Sequence, residues 1–171
     1  LVLPGCAPVQ WAAPPNSVAQ FRQMQRAQPN AYPTETIVQH NLQRVLDPEL
    51  GAGERVASLG LLARLRPEGQ ALRGPLAELL AGQSTPPAVR DGVLEFLLRQ
   101  DAPDLAGQVA RVLPEIRARG ELRQAVLDWL VDNPQPEALG EVVKLWAAED
   151  SPTGPHEPQY RRVVERLTRR R

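Results

Sequence analysis

Two sets of apolar segments recur in this sequence at intervals of 33 residues. Gly74, Gly107 and Gly140 each open a seven-residue segment with large apolar residues at its third, sixth and seventh positions. This spacing places the apolar side chains on one face of a helix. Such a face must be covered by a neighbour, and regular repetition of amphipathic helices is typical of stacked helical hairpins.

The second set of segments alternates with the first along the chain. Residues 93–97 match residues 126–130 at the same offset, residues 58–62 are a looser member, and residues 163–167 close the series. In the two central members, the residues predicted to be buried follow the i, i+4, i+7, i+8 stripe of an amphipathic helix. These residues are Val89, Val93, Phe96 and Leu97 in one member and Leu122, Val126, Trp129 and Leu130 in the other.

Composition and helix-terminus signals also favour helices in this region. Aromatic residues make up 4% of the chain, while Leu, Ala, Val and Arg are abundant, so helix formers dominate. Thr85-Pro86 is typical of a helix start, and Asn133-Pro134 and Ser151-Pro152 are typical of helix ends. Because the connections are short, consecutive helices should be antiparallel. We therefore expect an all-α fold, a short right-handed α-solenoid of about seven or eight helices over residues 34–171.

One of these segments resembles a known repeat. Pro87, Val89 and Arg90, followed by Leu94 and Leu97, are similar to the first helix of HEAT repeats. The resemblance covers the chain from the forties to its C-terminal end. It implies a curved α-solenoid that binds partner proteins and catalyses no reaction. Tetratricopeptide and other helical hairpins remain alternatives, although the Trp, Leu-Gly and Tyr that mark tetratricopeptide repeats are not at their places.

The last repeat is rich in arginine. Arg166 occupies the position that holds Phe96 and Trp129 in the preceding copies, as expected for a terminal repeat without a neighbour on one side. The arginines of the C-terminal stretch are Arg161, Arg162, Arg166, Arg169, Arg170 and Arg171. The helix macrodipole alone favours arginine at a helix C-terminus. Alternatively, these residues bind anionic lipid headgroups or an acidic protein subunit.

Residues 7–33 form a proline-rich segment in which the only charged residues are Arg22 and Arg26. Proline interrupts helical hydrogen bonding and restricts the residue before it. We expect an extended tether that contains one short helix over residues 17–26, capped by Ser17.

Three aromatic residues, Trp11, Phe21 and Tyr32, are dispersed through this tether. A segment of this composition buries too little apolar surface to offset its conformational entropy by itself. We therefore expect these side chains to anchor the tether on another chain or on the surface of the helical domain. The first possibility predicts that the protein is a subunit of a larger assembly.

The single cysteine of the chain follows an apolar stretch. Leu3-Pro4-Gly5-Cys6 resembles the lipobox of bacterial lipoproteins, which has Leu, two small residues and then Cys; Pro4 stands where Ala, Ser or Thr is usual. The resemblance implies a covalent lipid on Cys6 and cleavage before it. Because the chain begins with Leu1 and its only methionine is Met24, we expect upstream residues to complete a signal peptide.

Residue patterns that support catalysis are sparse. The two histidines, His40 and His156, are far apart in sequence, and the chain has no second cysteine, glycine-rich phosphate loop or GxSxG motif. A formal net charge of zero provides no global attraction for nucleic acid. We expect a protein that is not an enzyme and that uses neither a small-molecule substrate nor a cofactor beyond the lipid on Cys6.

Two functions fit these expectations. The first is a membrane-anchored scaffold or accessory subunit of a bacterial envelope complex, with the lipobox at residues 1–6, the tether at 7–33 and the HEAT-like domain at 34–171. Ala7, rather than Asp, after the cysteine favours the outer membrane and a periplasm-facing location. The alternative is a cytoplasmic helical-repeat adaptor whose basic C-terminal helix docks on an acidic partner.

Overall fold

The computed structural model describes residues 12–65, 67, 72–100, 103–116, 120–148 and 157–169. All regular secondary structure within these ranges is helical, which confirms the predicted all-α class. The helices are α1 (Val18–Ala27), α2 (Thr34–Leu46), α3 (Ala52–Leu65), α4 (Arg73–Ala81), α5 (Pro87–Leu98), α6 (Ala106–Arg111), α7 (Gly120–Asp132), α8 (Pro136–Ala148) and α9 (Glu157–Thr168). A 3-10 turn, Pro103–Leu105, precedes α6.

The two sets of repeated segments lie in alternate helices. The glycine-led segments at Gly74 and Gly140 lie in α4 and α8, and the segment at Gly107 begins in α6 and continues past its end through Val112 and Leu113. The second set lies in α3, α5, α7 and α9. The helices are nevertheless unequal, since α6 has 6 residues and α8 has 13. The sequence period therefore maps onto alternating helices without producing helices of equal length.

The predicted helix end at Asn133-Pro134 is confirmed. The backbone N–H of Asn133 donates to the carbonyl of Trp129 at 2.8 Å, and the Asn133 side-chain amide donates to the same carbonyl at 3.1 Å. Pro134 cannot continue the helix because it lacks an N–H donor. The second predicted end, at Ser151-Pro152, lies outside the described residues.

The described chain forms two compact units. Unit 1 consists of the described residues up to Leu72 together with Pro86–Gly92, and unit 2 consists of Arg73–Thr85 and the described residues from Val93 onward. Within unit 1, α3 packs against both α1 and α2. Within unit 2, α6 packs against α4 and α8, and α9 packs against α7 and α8.

Helix α1 belongs to the core of unit 1. Phe21 and Met24 of α1 are buried in a cluster with Ile37 of α2 and Leu61 of α3, and Tyr32 packs against this cluster. The described part of the proline-rich segment is therefore packed on its own domain. The boundaries predicted at residues 6/7 and 33/34 remain predictions.

Local hydrogen bonds explain why α1 begins where it does. Ser17 caps the helix as predicted, since its Oγ accepts a hydrogen bond from the N–H of Gln20 at 3.3 Å. The side chain of Gln20 returns toward the chain before the helix, where its Oε1 accepts from the N–H of Asn16 at 2.9 Å. These reciprocal bonds satisfy N–H groups that have no partner within a helix, as in a capping box.

The hairpin between α2 and α3 is joined by a buried arginine. Arg55 of α3 is 3% exposed, and its Nε donates to the carbonyl of Val45, near the C-terminal end of α2, at 2.8 Å. The last carbonyls of a helix have no partner within that helix, so this bond satisfies one of them. At the surface, Arg44 pairs with Glu54 at 3.1 Å across the same hairpin.

The predicted core of the two central repeats is buried, apart from one residue. Leu122 is partly exposed because it lies in the first turn of α7, where the apolar stripe begins. Phe96 and Trp129 are both buried, whereas Arg166 at the matching position of α9 is exposed. The apolar stripes therefore identified the inward sides of α5 and α7 correctly.

The three repeated glycines occupy different environments. A Cβ atom on Gly107 would lie 3.0 Å from Cβ of Glu137, so α6 and α8 approach each other closely at this point. A Cβ atom on Gly74 or Gly140 would meet no neighbouring atom within 4 Å. Close packing therefore explains only the central glycine.

Replacing Gly107 by Ala should lower the free energy of unfolding by about 1–2 kcal/mol, because two Cβ atoms would be forced together. The same substitution at Gly140, which is exposed within α8, should raise it by about 0.5–1 kcal/mol through higher helix propensity. Urea denaturation of both variants measures the two changes in the free energy of unfolding. Equal changes in the two variants would contradict the close approach of α6 and α8.

Candidate functional site

The outer face of α9 carries the arginines that the sequence analysis identified as a possible binding surface. Tyr160, Val163 and Leu167 point inward and are buried. The predicted arginines that the structure describes, Arg161, Arg162, Arg166 and Arg169, are all exposed. Arg170 and Arg171 lie outside the described residues. The structure thus presents four guanidinium groups from one helix to solvent.

Ion pairs divide these four arginines into two kinds. Arg161 pairs with Glu157 and Arg169 pairs with Glu165 at 3.8 Å, each across one helical turn. Within the described part of the chain, no acidic group pairs with Arg162 or Arg166. Like charges four residues apart in a helix repel each other by about 0.2–0.5 kcal/mol. An anion bound between these two arginines would relieve that repulsion.

Arg162 and Arg166 line a groove between α7 and α9 with a volume of about 330 Å³. Its other lining residues are Val131 and Asp132 of α7 and Glu165 and Arg169 of α9. Guanidinium groups bind carboxylates and phosphates through paired N–H donors. The groove therefore offers cations for an anionic group, with carboxylates alongside them.

A buried cluster holds α9 in this position. The Tyr160 ring is fully buried and stacks on Trp146 of α8, with ring centroids 6.5 Å apart and planes inclined by 9°. On α7, Arg123 is buried and its Cζ lies 5.5 Å from the Tyr160 ring centroid, a cation–π distance. Tyr160 therefore contacts both of the helices on which α9 packs.

The predicted tether residues have separate outcomes. Cys6 and Trp11 lie outside the described residues. Phe21 is buried and Tyr32 is half-buried, and both pack within unit 1. This is the second of the two predicted possibilities, contact with the protein's own helical surface. Because Phe21 and Tyr32 pack within their own unit, their contacts provide no argument for a partner protein.

Two polar side chains that sequence analysis did not single out hold the chain before α1. Asn41 of α2 is fully buried, and its Nδ2 donates to the carbonyls of Pro15 and Ile37, each at 2.8 Å. Ser58 of α3 is also fully buried, and its Oγ lies 3.5 Å from the carbonyl of Asn16. Consecutive carbonyls of the N-terminal segment are thus held by two different helices.

The apolar stripe of α2 contains the signal that would have revealed Asn41. Ile37, Val38, Asn41, Leu42 and Val45 are all buried and share one side of the helix. A polar residue within such a stripe must find a hydrogen-bond partner because burial without one is unfavourable. The sequence indicates that Asn41 is buried, but its partner in Pro15 lies 26 residues away.

A second groove, of about 420 Å³, lies beside the held segment in unit 1. It is lined by Pro14 and by five residues of α2: Glu35, Thr36, Gln39, His40 and Gln43. Partial burial lowers the pKa of His40 below its ordinary value of 6.5, and the positive charge of Arg44 lowers it further. His40 therefore favours its neutral form in the folded protein.

Comparison with protein-family models, curated proteins and solved structures gave no match. Among the described residues, no group of three or more His, Cys, Asp or Glu side chains is arranged to hold a metal ion. The described helices also include none with the length and apolar character needed to cross a membrane. Functional inference therefore rests on the surfaces described above.

Replacing Asn41 by Ala should lower the free energy of unfolding by about 1–3 kcal/mol, because the buried carbonyl of Pro15 loses its donor. Release of the segment before α1 should also accelerate trypsin cleavage after Arg22 and Arg26. Limited proteolysis and urea denaturation measure these effects. Gln39→Ala, an exposed change in the same helix, is the control and should alter stability by less than about 0.5 kcal/mol. Equal cleavage rates in the two variants would contradict this role of Asn41.

Stability should decrease as pH falls through 6.5, the ordinary pKa of His40, and should level off below its lower folded-state pKa. The reason is that the unfolded chain takes up the proton before the folded protein does. The difference in free energy of unfolding between the wild type and His40→Gln, measured from pH 8 to pH 5, about three units, isolates this effect. A difference that stays constant with pH would show that His40 does not contribute.

Proposed function

We propose that this protein is a non-enzymatic, lipid-anchored scaffold or accessory subunit of a bacterial envelope complex. Cys6 carries the lipid, and the helical domain faces the periplasm from the outer membrane. Partner proteins bind to the helical-repeat surface. The observation that carries the scaffold assignment is the packing of alternate helices in unit 2.

Helices of the same repeat set lie beside each other in unit 2. Helix α6 contacts both α4 and α8, and α7 contacts α9. In a solenoid, each hairpin stacks on the next, so equivalent helices become neighbours. This packing supports our proposal that the 33-residue period corresponds to one hairpin of a short, right-handed, HEAT-like solenoid.

The outer side of the glycine-led helices supplies a surface for partners. Glu78, Arg111 and Lys144 occupy the fifth position of the three aligned segments, and all three are exposed. Beside Lys144, Val143 is 43% exposed, the one large apolar side chain so open among the described residues. The surface proposed for partners therefore combines charged side chains of both signs with one exposed apolar side chain.

The held N-terminal segment limits the distance between the lipid and the helical domain. Cys6 precedes Pro15, the first residue held by Asn41, by nine residues. Nine fully extended residues span at most about 30 Å. A lipid on Cys6 would therefore keep unit 1 close to the membrane surface, where it meets partners embedded in or bound to that membrane.

The anchor is tested by mass spectrometry of the N-terminal peptide from native membranes. We expect a peptide that begins at Cys6 and carries diacylglycerol on the thiol. Cys6→Ser, produced from the same full-length gene, is the matched control and should be recovered without lipid and outside the membrane fraction. An unmodified thiol in the native protein would contradict the proposal.

A second candidate function is a cytoplasmic helical-repeat adaptor that docks on an acidic partner. The exposed arginines of α9, of which Arg162 and Arg166 have no described acidic partner, favour it. The residues upstream of Leu1 distinguish the two functions. A basic start followed by an apolar core would favour the lipoprotein, and the lack of these features would favour the adaptor.

A further inference from the structure

The groove between α7 and α9 is not a uniformly positive surface. Arg162, Arg166 and Arg169 line it together with Asp132 and Glu165, and Val131 provides its apolar part. Arg169 pairs with Glu165 inside this set. Cations without a described acidic partner therefore share the groove with a carboxylate, Asp132, from the opposite helix.

This arrangement discriminates between kinds of anionic partner. A membrane surface presents negative charge in every direction, so Asp132 and Glu165 would oppose its approach. A protein segment can place an acidic residue against Arg162 and Arg166 and a basic residue against Asp132. Alternating charge of this kind gives specificity because a segment with the wrong pattern meets like charges.

The shape of the groove agrees with this choice. A volume of about 330 Å³ is at the lower end of the range for ligand sites and suits a few side chains of a peptide. The pair of arginines is separated by one helical turn, and both side chains are exposed. A carboxylate placed between them accepts hydrogen bonds from both guanidinium groups and relieves their mutual repulsion.

We propose that the α7–α9 groove binds a segment of a partner protein in which an acidic residue contacts Arg162 and Arg166 and a neighbouring basic residue contacts Asp132. The proposal rests on the protein-binding function proposed above and names the chemistry of its partner. It extends that function because it assigns partner binding to one groove and not to the exposed helix surface in general.

The test is selection of short random peptides on the full chain, followed by affinity measurement of the selected peptides. We expect enriched sequences to carry Asp or Glu near Lys or Arg. Arg162→Glu/Arg166→Glu should bind these peptides about tenfold more weakly or worse, and selection on this variant should enrich basic residues instead. Binding to the wild type should also weaken as salt concentration rises.

The matched control is Arg22→Glu/Arg26→Glu, which makes the same change in net charge on exposed positions of α1 and should retain binding. If the reversed variant loses helicity by circular dichroism, Arg162→Gln/Arg166→Gln replaces it. Equal affinities in the groove variant and the control would overturn the proposal, as would selection of peptides without acidic residues.

Vesicles of phosphatidylcholine and phosphatidylglycerol, in a ratio of about 3:1, form the second arm of the experiment. The vesicles could bind in a way that requires Arg162 and Arg166 while no peptide binds. This result would assign the groove to lipid and overturn the proposal of a protein partner. The result of the peptide-binding test does not depend on whether Cys6 carries a lipid. An unmodified Cys6 would contradict the lipoprotein assignment but would leave peptide binding in this groove intact.

Discussion

The structure depends on the requirement that each amphipathic helix cover its apolar stripe. Among the described residues, the buried side chains are mainly leucine, valine and alanine, and successive helices contribute them. Removing these side chains from water provides the main stabilising free energy, which is proportional to the area covered. Packing of α6 between α4 and α8, and of α9 on α7 and α8, is the way in which unit 2 meets this requirement.

Buried polar side chains add selectivity to this nonspecific driving force. Arg55 bonds the carbonyl of Val45 and sets α3 against the end of α2, while Asn41 bonds the carbonyl of Pro15 and sets the N-terminal segment against α2. A displaced helix would leave these donors buried without partners, which is unfavourable. The proline-rich segment is therefore joined to unit 1 both by apolar packing and by directed hydrogen bonds.

Helix α9 combines a structural inner side with a basic outer side. Tyr160 contacts both Trp146 and Arg123, so a fully buried ring attaches α9 to α8 and α7. The arginines that face outward can consequently be replaced without removing the contacts that hold the helix. This separation makes Arg162 and Arg166 suitable for a binding role and makes the charge-reversal experiment interpretable.

The sequence alone determined the features that depend on neighbouring residues. The Ser17 cap, the end of α7 at Asn133 and the inward sides of α5 and α7 arise from bonds and stripes within a few residues, so local chemistry encodes them. The sequence did not reveal the close contact at Gly107. Gly140 occupies the same position of its repeat, yet no neighbouring atom lies near it.

The tertiary structure decided which of these local features meet. The i, i+4 spacing of Arg162 and Arg166 is a property of the sequence, but the groove exists because α9 packs on α7, which contributes Val131 and Asp132 to its lining. Asn41 finds its acceptor in Pro15, 26 residues away, and Phe21 becomes a core residue rather than a free anchor because α2 and α3 lie under it. Contacts between distant residues depend on the path of the whole chain, and the pattern of any one segment does not contain that path.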